Sequence, residues 1–482
     1  MASRRDLFQS YQFMIQRVIS GMVLRETDPI QAPLRKMIGS AFAGVMIAVV
    51  GLAGAGLVGV FFGSDSKEWQ NSSVVIVEKE TGATFVWLPD EEAGQNLLFP
   101  TTNFTSAALL VNSIEVAEVT RASLEPAPRG PLRGIADAPD SPPDPERMLG
   151  DPWTLCSLPA ETRDGRLTPI TALVVGRDIS QGQLIGDSAV LVEDIETEGP
   201  TFKYLVAGGH KYPIPNEKPV LEGLTLQDYD PVRVGTAWLD ALPSGLDLAP
   251  EPVAERGAPS TAFPGAISGE VRYVESANDR QYYEVTPTQI EEITEVQYLV
   301  LLSDPAIEDT VYANREPALL EIPSAVAAGL TDDRRIPLPE RAPTDPPADQ
   351  PEMFELTTQD PTICGSFSSD EETPQIAVEA AVTGAEDAIA TPRRTAAGTV
   401  LADRVLVDPG SGAIVEEMAS ASAVAGTRYL VTDRGRRYPL SVEVQTLLGY
   451  GDVEPVALLS SLIARVPAGD ALDPRAAEQT IG

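Results

Sequence analysis

Histidine is almost missing from this 482-residue chain, which has one, His210. Cysteine is nearly as scarce, with Cys156 and Cys364 alone. A zinc site of three or four His and Cys ligands would need both cysteines and the one histidine. A Ser–His–Asp triad would have to run through His210. Basic residues are also few, 35 Lys and Arg against 71 Asp and Glu. That balance argues against nucleic acid, whose phosphates require a basic footprint. No G-x-x-x-x-G-K-[ST], H-E-x-x-H or G-x-S-x-G occurs, so phosphate-loop, zincin and nucleophile-elbow chemistry have no anchor. No D-x-D-x-D-G calcium loop appears either. These scarcities leave no catalytic residue, no metal ligand set and no cofactor site to nominate. A carboxylate-only hydrolase stays formally open. Acid pairs such as Glu291-Glu292 and Asp332-Asp333 read instead as solvated faces in so acidic a chain.

What is present is asymmetric. Residues 1–36 hold six basic and three acidic residues, whereas 64–482 hold 29 basic and 68 acidic ones, a net charge of −39. Between them Met37–Gly63 runs for 27 residues without Asp, Glu, Lys or Arg. A membrane core takes about 20 helical residues, so this run predicts one transmembrane helix. It is longer than a signal peptide's apolar region, and no obvious cleavage signature follows it. Arg35 and Lys36 flank its start and Asp65 its end. Positive charge stays cytoplasmic, which predicts a single-pass inner-membrane protein with its N-terminus inside and the acidic body exported to the periplasmic side. Gly51, Ala55 and Gly59 fall four apart and predict a helix-packing face. Upstream, Leu7, Tyr11, Ile15, Val18 and Met22 form an amphipathic stripe that suits headgroups or a partner. Phe13 lies off that stripe.

The body shows short β-branched runs, among them Val190–Val192, Tyr204–Val206, Tyr298–Leu302 and Tyr429–Val431, bounded by turn residues. Two Pro-rich stretches read as extended linkers: eight prolines in Glu125–Pro152 and six in Pro337–Pro351. A repeat is plain. Tyr204-Leu205-Val206 and Tyr212-Pro213 match Tyr429-Leu430-Val431 and Tyr438-Pro439. Pro231-Val232 matches Pro455-Val456, and Leu242–Pro250 matches Val466–Pro474. Weaker copies contain Phe85-Val86-Trp87 with Pro128–Gly130, and Tyr282-Tyr283-Glu284-Val285 with the Glu295-Val296-Gln297 echo of Glu443-Val444-Gln445. Each copy reads as a hairpin followed by a helix that covers its apolar face. His210 falls on the hairpin turn, and the matching turn Asp433–Arg436 has no histidine, so His210 reads as an exposed turn residue.

Cys156 and Cys364 each follow a Pro-rich stretch, 208 residues apart, on the side where disulfides persist. Their pairing would staple a central domain made of two distant halves; free thiols or an intermolecular bond are the alternatives.

Arg4–Phe13 (RRDLFQSYQF), Arg17, Arg25–Pro29 (RETDP) and Pro33-Leu34-Arg35 resemble the start of EccB, a membrane component of the type VII (ESX) secretion system of actinobacteria. The likeness resumes at Pro128–Asp140, at Trp153 to Cys156 and in the repeats. It implies an α+β protein: an N-terminal amphipathic helix and one transmembrane helix, then an elongated exported region of four small hairpin–helix repeats around a β-rich central domain bridged by Cys156 and Cys364. The expected segments are a cytoplasmic helix (1–36), the membrane helix (37–63), repeat 1 (64–125), the first central half (126–198), repeat 2 (199–262), repeat 3 (263–330), the second central half (331–424) and repeat 4 (425–482). The resemblance also implies assembly with the EccC motor ATPase, EccD and EccE in a hexameric inner-membrane complex, contact with a mycosin protease, and a scaffolding rather than enzymatic role. Family members are sometimes labelled ATPases, which leaves an exported nucleotide hydrolase as the alternative. Likeness of the repeats to cell-wall-binding modules leaves a peptidoglycan anchor as another.

Overall fold

A computed structural model describes residues 3–23, 46 and 67–481, apart from 161–163, 166, 178–181, 197–200, 276–279, 314–315, 386–387 and 421. Among the described residues no helix is long and apolar enough to cross a membrane. The expected span 37–63, with Gly51, Ala55 and Gly59, lies outside them.

The chain divides into two units, Met1–Asn71 and Ser72–Gly482. The first contains the helix Arg4–Val23. Its start is a reciprocal cap: the Ser3 hydroxyl accepts from the Arg5 amide at 3.1 Å, and the Asp6 carboxylate accepts from the Ser3 amide at 3.1 Å. Leu7, Phe8, Tyr11, Val18 and Met22 are exposed along it.

Among the described residues the second unit contains five sheets, four of them sharing one connection pattern. In the fourth sheet, Gly412–Met418, Thr427–Thr432 and Arg437–Pro439 form an antiparallel meander, the helix Val442–Leu447 crosses over, and Val456–Leu459 pairs parallel with the first strand. A parallel return needs such a crossover, whereas the meander needs tight turns. The second sheet repeats this with Ala189–Asp194, Lys203–Ala207, His210–Ile214, the helix Glu217–Gly223 and Val232–Val234. Its hairpin closes through Gly208 and Gly209 at φ 56° and 75°, the left-handed pair that a two-residue turn of this twist requires. The first sheet (strands between Val75 and Val119) and the third (strands between Val271 and Glu321) follow the same path.

Each meander therefore opens one strand before the hairpin seen in the sequence. Ala189–Asp194 and Gly412–Met418, assigned above to the central halves, are interior strands of the second and fourth sheets. Likewise the third sheet gains an edge strand, Arg335–Ile336, beyond residue 330. Tyr298–Leu302 is not a strand. It ends the helix Glu295–Leu302, started by a capping box between Thr294 and Gln297 and buried through Val296 and Val300 at i, i+4.

The Pro-rich stretches are neither uniformly extended nor free linkers: Pro145–Arg147 is a 3-10 helix, and a turn closes from the Asp345 amide to the Ala342 carbonyl at 3.0 Å. Pro128-Arg129-Gly130 runs parallel to the third strand of the first sheet, with the Leu98 amide donating to the Pro128 carbonyl at 2.8 Å. Further on, Ile135 and Ala138 are buried. Proline removes donors but keeps carbonyls, so such a ribbon can still accept from a sheet edge. Pro243-Ser244-Gly245 and Pro467-Ala468-Gly469 do the same beside Lys211 and Arg437. The glycine has a steric reason. A Cβ on Gly130, Gly245 or Gly469 would stand 2.2–2.3 Å from the ring of Phe99, Tyr212 or Tyr438. The repeated Tyr-Pro and Pro-x-Gly are the two sides of one contact.

The fifth sheet draws strands from both distant halves, in the order Ile389–Ala390, Arg404–Leu406, Ile170–Val175, Trp153–Leu158, Ile363–Phe367, Gln375–Val378, Gln183–Leu184. Its main core is shared: Trp153, Leu155 and Leu173 bury against Val192, Val206 and Trp238 of the second repeat region and Val415, Val431 and Leu462 of the fourth. The fourth sheet buries its other face with the first through Tyr438, Tyr450, Phe99 and Val86. The second packs its Leu191 and Leu205 with Val296 and Val300 of the third.

Candidate functional site

The central strands put the two cysteines face to face. Trp153–Leu158 and Ile363–Phe367 pair antiparallel with Cys156 opposite Cys364, flanked by Leu155↔Gly365 and Trp153↔Phe367. The pair forms a disulfide with a Cα–Cα distance of 4.0 Å, buried with Ala380, Leu158 and Val382. In the chain-entropy picture a closure of 208 residues stabilises by about 5 kcal/mol.

A polar seam reinforces the same junction. The Thr171 amide and hydroxyl both donate to Asp403 Oδ2 at 2.8 Å, and the Asp403 amide donates back to the Thr171 hydroxyl at 3.0 Å. Arg393 lies 3.3 Å from Asp403 and 3.9 Å from Glu196. Glu196 accepts from the Thr236 amide at 3.0 Å, and Thr236 donates its hydroxyl to Asp194. Burial pushes the Glu196 carboxyl up, while the Thr236 amide pulls it down. Arg465 donates to the Val400 carbonyl at 2.7 Å and faces Asp240 at 3.4 Å. Lys211 donates to the Leu239 carbonyl at 2.8 Å and stands 3.7 Å from the same Asp240; burial lowers its pKa. These charges answer one another and join the second sheet, the fourth sheet and the central sheet. They act as a latch.

His210 is not the exposed turn residue expected. It is the first residue of its strand, paired with Ala207, and buried, with Nδ1 3.3 Å from the Gly208 carbonyl. The tight Gly208-Gly209 turn shortens the loop and draws the imidazole into the sheet. Among the described residues no group of three or more His, Cys, Asp or Glu is placed to hold a metal.

The acid pair Glu291-Glu292 is also not a solvated face. Both residues are half-buried and line a cavity of about 320 Å³ between the third sheet, its helix Glu295–Leu302, the segment 246–251 and the Pro-rich stretch after Arg335. Cross-strand register sets Glu284 directly opposite Glu291. Glu284 is 8% exposed. Burial, then the charges of Glu291 and Glu251, push its carboxyl up to about 7, against a smaller opposing pull from Arg256. Composition hid Glu284 among many acids. Its signal was the four-residue connection between Val285 and Ile290, which fixes what lies opposite it.

The topology, the stapled central sheet and the N-terminal helix can now be set beside known proteins. A family model described as "Type VII secretion system ESX-1, transport TM domain B", the EccB model, matches residues 1–481. The chain belongs to the EccB family. The ESX-3 secretion system ATPase EccB3 of Mycolicibacterium smegmatis is 24% identical over 491 residues, covering 97% of this chain and 89% of that protein. The ESX-1 secretion system ATPase EccB1 of Mycobacterium tuberculosis is 27% identical, covering 76% of this chain and 72% of that one. The fold matches a chain of an intact ESX-5 inner membrane complex with a TM-score of 0.60 and 21% identity, over 100% of this chain and 96% of that one. It matches an EccB3 dimer from the ESX-3 core complex with a TM-score of 0.60 and 21% identity, over 84% and 99%.

Proposed function

We propose that this EccB-family chain is a structural subunit of a type VII secretion inner-membrane complex, with residues 37–63 as its single anchor, 1–36 in the cytoplasm and the sheet-built body in the periplasm. The observation that carries the reading is the family match along the whole chain. The charge asymmetry across one 27-residue uncharged run supports the topology. A buried disulfide suits an oxidising compartment. The four meanders share one connection pattern and three share the aromatic–glycine contact, which supports their descent from one repeated unit. Relatives carry the name ATPase. No phosphate loop exists in this sequence, and the latch charges pair with one another, so the scaffold reading is preferred. In this reading Gly51, Ala55 and Gly59 pack against a neighbouring membrane helix. EccC, EccD, EccE, further copies of this chain and a mycosin protease are the proposed partners.

Affinity purification of the tagged full chain from gently solubilised membranes, followed by native mass spectrometry, tests this. The expected result is a complex holding several copies of the chain together with a membrane ATPase. Recovery of the chain as a lone monomer, with the ATPase complex intact without it, would overturn the scaffold role.

A further inference from the structure

The third sheet departs from the other three at one register position. Leu98↔Arg129, Lys211↔Ser244 and Arg437↔Ala468 are equivalent parallel pairings, and the next residues are Phe99 with Gly130, Tyr212 with Gly245 and Tyr438 with Gly469. In the third sheet the parallel pairs are Ile290↔Arg335 and Glu291↔Ile336; Glu291, set opposite Glu284 on the helix side as Tyr212 and Tyr438 are set opposite Leu205 and Leu430, takes the place of the ring, and Ile336 that of the glycine. No ring fills that place, and both residues line the cavity of about 320 Å³. That size lies within the range of about 300–1,000 Å³ typical of ligand sites.

We propose that this cavity receives a lysine or arginine side chain from an extended, apolar-flanked segment of a partner polypeptide. The lining carries six carboxylates and one guanidinium, that of Arg341, which already donates to the Pro346 carbonyl. Leu248, Ile293, Val296 and Leu338 supply apolar walls for a methylene stem. At the strand side sits Glu284, 8% exposed, whose carboxyl faces the charges of Glu291 and Glu251 with only a smaller opposing pull from Arg256. A buried carboxylate beside like charges is costly, and a cation inserted beside it lowers that cost. No three carboxylates converge closely enough to hold a metal among the described residues, which favours a larger organic cation. Leu246 and Ile336 stand exposed at the rim, at 58% and 37%, where residues flanking the cation would rest. The inference goes beyond the scaffold role and does not depend on it.

The probe is a fluorescent peptide, acetyl-Pro-Leu-Lys-Leu-Pro-amide, titrated by anisotropy against the full chain in lipid nanodiscs. The lysine peptide should bind saturably. Its norleucine twin, equal in stem but uncharged, should bind at least tenfold more weakly. Glu284→Gln should lower affinity at least tenfold while melting no earlier than the parent, since the amide removes repulsion with Glu291. Leu338→Lys, which tethers an ammonium at the cavity wall, should block the peptide with Glu284 intact. Equal binding of the norleucine twin, full binding by either variant, or no saturable binding of the lysine peptide would overturn the proposal. Displacement by free hexylamine at the peptide's own affinity would also overturn it, because the rim would then contribute nothing.

Discussion

The fourth sheet and the third share a strand order but differ in how they end. In the fourth, Tyr438 is fully buried and Gly469 lies under its ring. In the third, Glu291 and Ile336 hold those positions and a cavity opens. The fourth sheet also sits between the central sheet and the first, so both of its faces are buried. The closed sheet serves packing, whereas the open one carries an excess of negative charge that Arg256 offsets only in part. Four sheets share one strand order, and the third lacks the aromatic–glycine contact that the other three have.

The largest separation between the two copies should come from deleting the ring. Tyr438→Ala is expected to lower stability by about 4 kcal/mol, read from urea unfolding of the full chain. Glu291→Ala at the equivalent position should cost no more than about 0.5 kcal/mol. Similar losses in both would erase the distinction. Next, Gly469→Ala forces a methyl to within 2.2 Å of the Tyr438 ring. It should cost about 3 kcal/mol by overpacking, and Tyr438→Leu in the same chain should recover part of it.

A third test uses pH. The Glu284 carboxyl titrates near 7 when folded, above its ordinary 4.5. The folded state therefore holds this proton after the unfolded chain has released it, and its stabilising share is lost as pH rises from about 4.5 to about 7. Glu284→Gln should match the parent at pH 4.5 and exceed it by about 3 kcal/mol at pH 8. A gap that does not change with pH would show that Glu284 is already compensated. In the fourth sheet Leu430 faces Ile414 at the equivalent position, with no acid pair, and no comparable pH-dependent gap is expected from substitutions there.

The two copies also differ in how far they could be read from sequence. Tyr438-Pro439 and Val466-Pro467-Ala468-Gly469 were visible because Tyr212-Pro213 and Leu242-Pro243-Ser244-Gly245 repeat them, and a packing contact preserved twice leaves a pattern. The third copy's defining feature is the loss of that pattern. Glu284 looked like one acid among 71 until strand register set it against Glu291. Tyr298–Leu302 suggested a strand by composition, but the local cap at Thr294 decided for a helix. The Pro-rich stretches misled in the other direction. Their extended backbone was foreseeable only in part, and their use as sheet-edge acceptors depends on strands far away in sequence. The cysteine pair was legible because two cysteines admit one internal pairing, while the latch of Thr171, Asp403 and Arg465 was not, since each member pairs with a partner 65 to 232 residues distant.

The proposed scaffold role requires the stapled body to lie outside the cytoplasm and the short basic head within it. Intact spheroplasts bearing an N-terminal and a C-terminal epitope, exposed briefly to protease, address this directly. The expected result is loss of the C-terminal epitope with the N-terminal one retained until the membrane is lysed. Retention of the C-terminal epitope in intact spheroplasts, with digestion only after lysis, would contradict the topology, the setting of the disulfide and the secretion role together.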